Sequence, residues 1–99
     1  MSLGYKGHNP KRDTNEPAIR AVLHQAKTQT WQLSDEGVPD LLCLTGHVLW
    51  LMEVKAAKGI LTPAQMKFRD SMIAANAGYY VVTSPDEAMD ALRMELARR

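Results

Sequence analysis

Ninety-nine residues, 45% hydrophobic and 23% charged, read as one folded, globular domain and not as a disordered chain. A formal net charge of +1 gives no overall pull toward nucleic acid, so an anion-binding surface has to come from local arrangement. One cysteine excludes an intramolecular disulfide, and with three scattered histidines it supplies no zinc cluster; no apolar run reaches membrane-spanning length. No signal-peptide pattern precedes the domain, so the expected location is the cytoplasm, bacterial or phage-like, and the host's cytoplasm for a viral protein. So small a domain has a modest core, which makes self-association an expected source of extra stability.

Residues 1–14 are rich in Gly, Asn and Lys, lack periodicity, and read as a flexible tail. Lys6, His8, Lys11 and Arg12 make it basic, either as a solubilising segment or as a phosphate-contacting arm. The folded domain is expected over 15–99. Its first helix opens at Asn15, a good N-cap, carries Glu16 and Pro17 in its first turn, and runs to about Gln29. Ile19, Val22, Leu23 and Ala26 form the buried stripe. Glu16 extends that stripe, and as an acid in a first turn it also suits the helix dipole. Arg20, His24 and Lys27 fall on the outer face. Trp31-Gln32-Leu33 reads as a short strand, and Ser34-Asp35-Glu36-Gly37 as a loop.

Two strands follow, Gly37 to Leu44 and Val48 to Lys55, joined by Thr45-Gly46-His47. Both are apolar almost throughout, which predicts cover on both faces, with Leu42, Leu44, Trp50, Met52 and Val54 buried and Cys43 an inert core thiol. Proline is confined to strand starts, edges and bulges, so Pro39 fixes where Asp40 enters the first of them. Asp40, Glu53 and Lys55 are charges in an apolar setting, and buried charges are paired or bind a metal. Glu53 and Lys55 share a face because side chains alternate along a strand. If the turn sets Thr45 opposite Val48, Asp40 lies opposite Glu53, with the carboxylates ~5 Å apart. The three could form a buried ion-pair cluster, but two acids and one lysine leave a negative site that still wants a cation.

Thr62-Pro63-Ala64-Gln65 opens the second helix, with Thr62 as cap, Pro63 at the first helical position and Gln65 at the capping-box position. Phe68, Met72 and Ala75 are expected inward, and Lys67, Arg69 and Asp70 outward. Lys58 reads as a loop lysine close enough to the acids to touch a phosphate. Tyr79 to Thr83 is a further strand. Ser84-Pro85-Asp86-Glu87 repeats the cap grammar before a last helix with stripe Ala88, Leu92 and Leu96 and a solvated basic end at Arg93, Arg98 and Arg99. The order is α-β-β-β-α-β-α, an α/β domain with a mixed central sheet flanked by helices.

Pro39-Asp40, a gap of twelve residues, then Glu53-Val54-Lys55 resembles the PD-(D/E)xK nuclease signature. The wider string, Gly37-Val38-Pro39-Asp40-Leu41, Glu53-Val54-Lys55, Gly59 and Leu61-Thr62-Pro63-Ala64-Gln65, resembles the VRR-NUC family, the virus-type replication and repair nuclease domain, from about Glu16 to about Pro85. That resemblance implies a restriction-endonuclease-like core and a DNA endonuclease dependent on Mg²⁺ or Mn²⁺, selective for branched or junction DNA and acting as a homodimer. Asp40 and Glu53 supply the carboxylate oxygens that hard divalent ions prefer. The resemblance adds Glu16 as a third acidic ligand and the Val54 backbone carbonyl as a fourth. It implies that Lys55 orients the attacking water or neutralises transition-state charge, and that Gln65 positions water or substrate while also serving as a cap. Asp40, Glu53, Lys55 and Gln65 are thus the catalytic candidates, and Lys58, Lys67, Arg69, Lys11 and Arg12 the candidate DNA-binding residues. Two rivals share the scaffold: a catalytically silent DNA-binding or assembly module, against which it counts that no motif position is replaced, and an RNA-directed nuclease.

Overall fold

A computed structural model describes residues 12–99. The elements are α1 (Glu16–Gln25), β1 (Thr28–Gln32), β2 (Leu41–Thr45), β3 (Val48–Val54), α2 (Pro63–Ala74), β4 (Tyr79–Val82) and α3 (Pro85–Ala97), in the predicted order. Gly46, at φ 60°, makes the tight turn that sets Thr45 opposite Val48. β1 joins β2 antiparallel and β4 joins β3 parallel, which gives a mixed sheet in the order β1-β2-β3-β4 with α2 as the crossover.

The core lies on one face. Cys43, Trp50, Met52, Val54 and Val82 from the strands meet Ile19 and Leu23 of α1 and Ala88, Ala91 and Leu92 of α3. Trp50 stands edge-on to Tyr80, ring centroids 5.7 Å apart. The expectation of cover on both faces is not met. On the opposite face Leu42, Leu44 and Leu51 are only half-buried, and Trp31 and Leu49 are 45% and 57% exposed. α2 lies on this side and packs chiefly against β4, with Phe68 beside Tyr79 at 6.4 Å. It contributes no buried residue: Phe68 and Met72 are half-buried, and Ala75, expected inward, is exposed.

Two other expectations change. The first helix stops at Gln25, because the chain turns at Lys27 (φ 63°) and the strand starts at Thr28 instead of Trp31. The inward residues of β1 are polar but satisfied. Thr28 and Thr45 share a hydroxyl hydrogen bond of 2.7 Å, and Thr30 meets Arg20 Nε at 2.9 Å and His24 Nε2 at 3.1 Å. Arg20 and His24 therefore fold back onto β1. In α3, Leu96 is exposed and the buried stripe continues through Ala91 and Glu95. Glu95 is fully buried, accepts from the Tyr80 hydroxyl at 2.8 Å and pairs with Arg98 and Arg99. Burial works against its charge, but the Tyr80, Arg99 and Arg98 hydrogen bonds prevail and hold its pKa below the usual glutamate value. Of the expected solvated end, Arg93 stays exposed beside Asp90, while Arg98 and Arg99 close onto the buried Glu95, and Arg98 also donates to the Asn76 carbonyl at 2.8 Å.

Candidate metal centre and its cleft

Carrying the Leu41–Met52 pairing back by one residue brings Asp40, just ahead of β2, beside Glu53 of β3. Asp40 Oδ2 accepts the Val54 N–H at 2.7 Å, which locks the carboxyl against the strand. Glu53 is 2% exposed. Its Oε2 accepts from Gln65 Nε2 at 3.1 Å and lies 3.7 Å from Lys55 Nζ; its Oε1 is buried and meets no donor. Asp40 lies close enough for its charge to disfavour ionisation of Glu53, so the pair favours holding a proton. Burial, then the Asp40 charge and hydrogen bond, push Glu53 up to about 8 against the pull of Lys55. Asp40 is raised by burial, opposed by the Val54 N–H, by Glu53 and by Arg12.

Gln65 fills both roles read from its position. Its N–H donates to Thr62 Oγ1 at 3.2 Å and its Oε1 accepts the Thr62 N–H at 2.9 Å, a complete capping box. The remaining amide nitrogen is left to Glu53. Gly37 permits this placement of α2. It sits at φ 79°, and a Cβ there would stand 3.1 Å from the Ala64 Cβ and 3.2 Å from its carbonyl oxygen.

Glu16, buried in the first turn of α1, is held on both oxygens. Oε1 faces Arg12 Nε at 3.1 Å and Nη2 at 3.0 Å, and Oε2 accepts from Gln32 Nε2 at 2.7 Å. Arg12 also donates to the carbonyls of Leu33 and Asp40, each at 3.2 Å, and lies 3.7 Å from Asp40 Oδ1. Residues 12–14, counted in the tail from sequence, thus include a side chain anchored in the site. Asn15 makes no side-chain cap; its Nδ2 donates instead to the carbonyls of Lys55 at 3.0 Å and Thr83 at 2.7 Å, pinning α1 to the ends of β3 and β4. Sequence assigned no site role to Gln32, read Asn15 only as a cap, and read Arg12 only as a candidate DNA contact. Their partners lie up to 68 residues away, and only strand register brings them close.

Asp40, Glu53, Val54, Lys55, Gln65 and Arg12 line an open cleft of about 650 Å³. Lys58 is exposed on the following loop, Lys67 borders a neighbouring hollow with Glu36 and Phe68, and Arg69 pairs with Asp70 at 3.0 Å; none of the three lines the cleft. Lys11 lies outside the described residues. Among the described residues no group of three His, Cys, Asp or Glu side chains stands arranged to hold a metal ion, and Arg12 bridges Glu16 and Asp40. The donors nonetheless suit a hard divalent cation: two adjacent carboxyls, one with a buried oxygen that has no partner. Among the same residues, no helix is long and apolar enough to cross a membrane.

The sequence matches no protein-family model and no curated protein. A solved structure of a VRR_NUC domain superposes with a TM-score of 0.66 and 24% sequence identity, over 82% of this chain and 97% of its own length. With the predicted element order, the mixed sheet and that superposition together, the chain has the fold of a VRR_NUC domain.

Proposed function

We propose that the chain is a VRR-NUC nuclease that hydrolyses phosphodiester bonds of DNA with a divalent ion, Mg²⁺ or Mn²⁺. One observation carries this reading: Asp40, Glu53, Lys55 and Gln65 converge on one cleft, and a buried Glu53 oxygen there lacks a donor. A bound divalent ion supplies an acidified water and positive charge for the phosphate oxygens. Asp40 and Glu53 would hold it, and the family resemblance adds Glu16 and the Val54 carbonyl. Gln65, fixed by its capping box, occupies Glu53 Oε2 and leaves Oε1 to the ion. Lys55 puts a cation on the cleft wall where it can donate to the attacking water or a phosphate oxygen. The N-terminus of α2 borders the cleft with Thr62 and Ala64, and although the capping box takes the Thr62 and Gln65 N–H groups, the positive end of the helix dipole there favours an anion.

The finer reading is a homodimer acting on branched DNA in the cytoplasm, its contact surface extended by Lys58, Lys67 and Arg69. The open sheet face supports self-association: Trp31 and Leu49 stand exposed beside half-buried Leu42. A second copy would cover that face, and a two-fold would present two clefts to one branched substrate. The test is a cleavage panel of linear duplex, flap, splayed-arm and four-way DNA, with and without each metal, beside light scattering. Metal-dependent cutting of branched DNA, abolished by Asp40→Asn and Glu53→Gln in folded protein, is the expected result. No cutting of any DNA overturns the nuclease reading. Equal cutting of linear duplex removes the branch selectivity, and a strict monomer removes the dimer.

A further inference from the structure

Arg12 is held in a way that a tail residue has no reason to be. Its guanidinium reaches both Glu16 and Asp40, and it also donates to two backbone carbonyls, those of Leu33 and Asp40. A planar fork with five donors is suited to this, where an ammonium would serve one acceptor at a time. Glu16 and Asp40 come from different elements, α1 and the segment before β2, and both are acids that the nuclease reading assigns to the metal. A guanidinium and a divalent ion cannot both occupy the space between them. Arg12 lies outside every helix and strand, four residues ahead of the start of α1, so its side chain can leave without disturbing either.

We propose that Arg12 is the counter-cation of the metal-free site: it neutralises Glu16 and Asp40 when no ion is bound and gives way when a divalent ion arrives. The inference rests on the metal-dependent reading above. It makes Arg12 a residue that sets metal affinity. Whatever favours the Arg12 contact weakens metal binding, and by linkage the metal weakens the Arg12 contact by the same factor. A merely structural Arg12 would hold the Leu33 and Asp40 carbonyls equally well with or without metal. A displaced Arg12 must lose its contact with Glu16.

The experiment follows the arginine and the metal separately in the unaltered protein. ¹⁵N spectra are recorded through a Mg²⁺ titration, reading the Val54 amide, which donates to Asp40, and the Arg12 Nε–H, which donates to Glu16. Both signals should move with one apparent Kd, and the Arg12 Nε–H should lose its protection from solvent exchange. If Val54 moves and Arg12 keeps its signal and protection at saturation, the Arg12 proposal is overturned while the metal reading stands. If neither moves, the metal reading fails and this proposal with it. In calorimetry with Mn²⁺, Arg12→Gln should bind roughly tenfold tighter, about the strength of one charge-assisted contact no longer broken. Its melting point should drop without metal and recover with it. Arg12→Lys keeps the charge without the fork and should fall between the two, which covers the case in which Arg12→Gln does not fold metal-free. Unchanged or weaker Mn²⁺ binding by both variants overturns the proposal.

Discussion

If Asp40 and Glu53 share a proton, that proton has a consequence for stability that needs no substrate to observe. Glu53 is raised from 4.5 to about 8 in the folded chain. A carboxyl whose folded pKa exceeds its unfolded value binds more protons when folded. Its contribution is therefore complete below about pH 4.5 and is lost as pH rises through about 8. At about 1.4 kcal/mol per pKa unit, the gap sets a ceiling of about 5 kcal/mol. The proton serves both carboxyls, and Lys55 recovers part of the loss once it is gone, so a realised change of roughly 2 kcal/mol is the better expectation. For a domain of this size that is on the order of 10 °C in Tm. The assay is thermal melting in a metal chelator between about pH 5.5 and about pH 9. That window lies above the range in which Glu95, whose pKa is lowered, loses its contribution as pH falls. It also lies below the 10 at which Tyr79 and Tyr80, raised to about 12 chiefly by burial, begin to matter. The parent should lose stability across the window. Glu53→Gln, neutral at every pH, should stay nearly flat and melt above the parent at the alkaline end. A parent Tm that does not fall, or one that falls equally in Glu53→Gln, would refute the shared proton.

Three further outcomes are expected. Gly37→Ala forces a side chain onto φ 79° and against Ala64, so it should lose about 2 kcal/mol and slow cleavage by shifting Gln65; Gly46→Ala, at φ 60° with nothing within 4 Å, should lose only the backbone share, and equal melting and cleavage of the two variants would contradict this. Gln65→Glu keeps the capping box but sets a second charge beside Glu53, so cleavage should drop at least about tenfold while chemical denaturation shows a loss under about 1 kcal/mol. Gly78→Ala would put a Cβ 2.5 Å from Glu95 Oε1, a carboxyl that Tyr80, Arg98 and Arg99 hold in place, so a loss of roughly 2–3 kcal/mol should appear in urea unfolding.

What the sequence made legible was whatever local chemistry decides. The turn at Gly46 fixes the β2–β3 register, and that register alone puts Asp40 beside Glu53. The Thr62 and Ser84 caps are local too, and both bind the N–H three residues on, at 3.2 Å and 3.1 Å. What stayed hidden were polar groups that point inward and find partners far along the chain. Thr28 looks like the tail of a helix until Thr45 is brought to it, and Thr30 carries no signal until Arg20 and His24 reach it. Glu95 drew no reading from the sequence, and its place in the core appears only once Tyr80, Arg98 and Arg99 close on it. The open sheet face was hidden for another reason: an apolar run shows that a residue can be buried, not that this chain has a helix to cover it.

The position of α2 joins these strands of argument. A helix that buries nothing adds little to the core of a small domain, yet Gly37 and the capping box hold its first turn in place. What that turn delivers is one amide, Gln65 Nε2, onto one oxygen of Glu53. On the proposed reading, the charges around that oxygen exchange evenly. Without metal, three carboxyl groups (Glu16, Asp40 and Glu53) face two cations (Arg12 and Lys55) and one proton, and the site is neutral. A divalent ion carries the charge of the guanidinium and the proton together, so it can replace both and leave the site neutral again with Lys55 still in place. Either displaced charge left behind would face the ion across a few ångströms of partly buried space, a repulsion of several kcal/mol. The chain thus has reason to keep both the proton and Arg12 on groups that can release them.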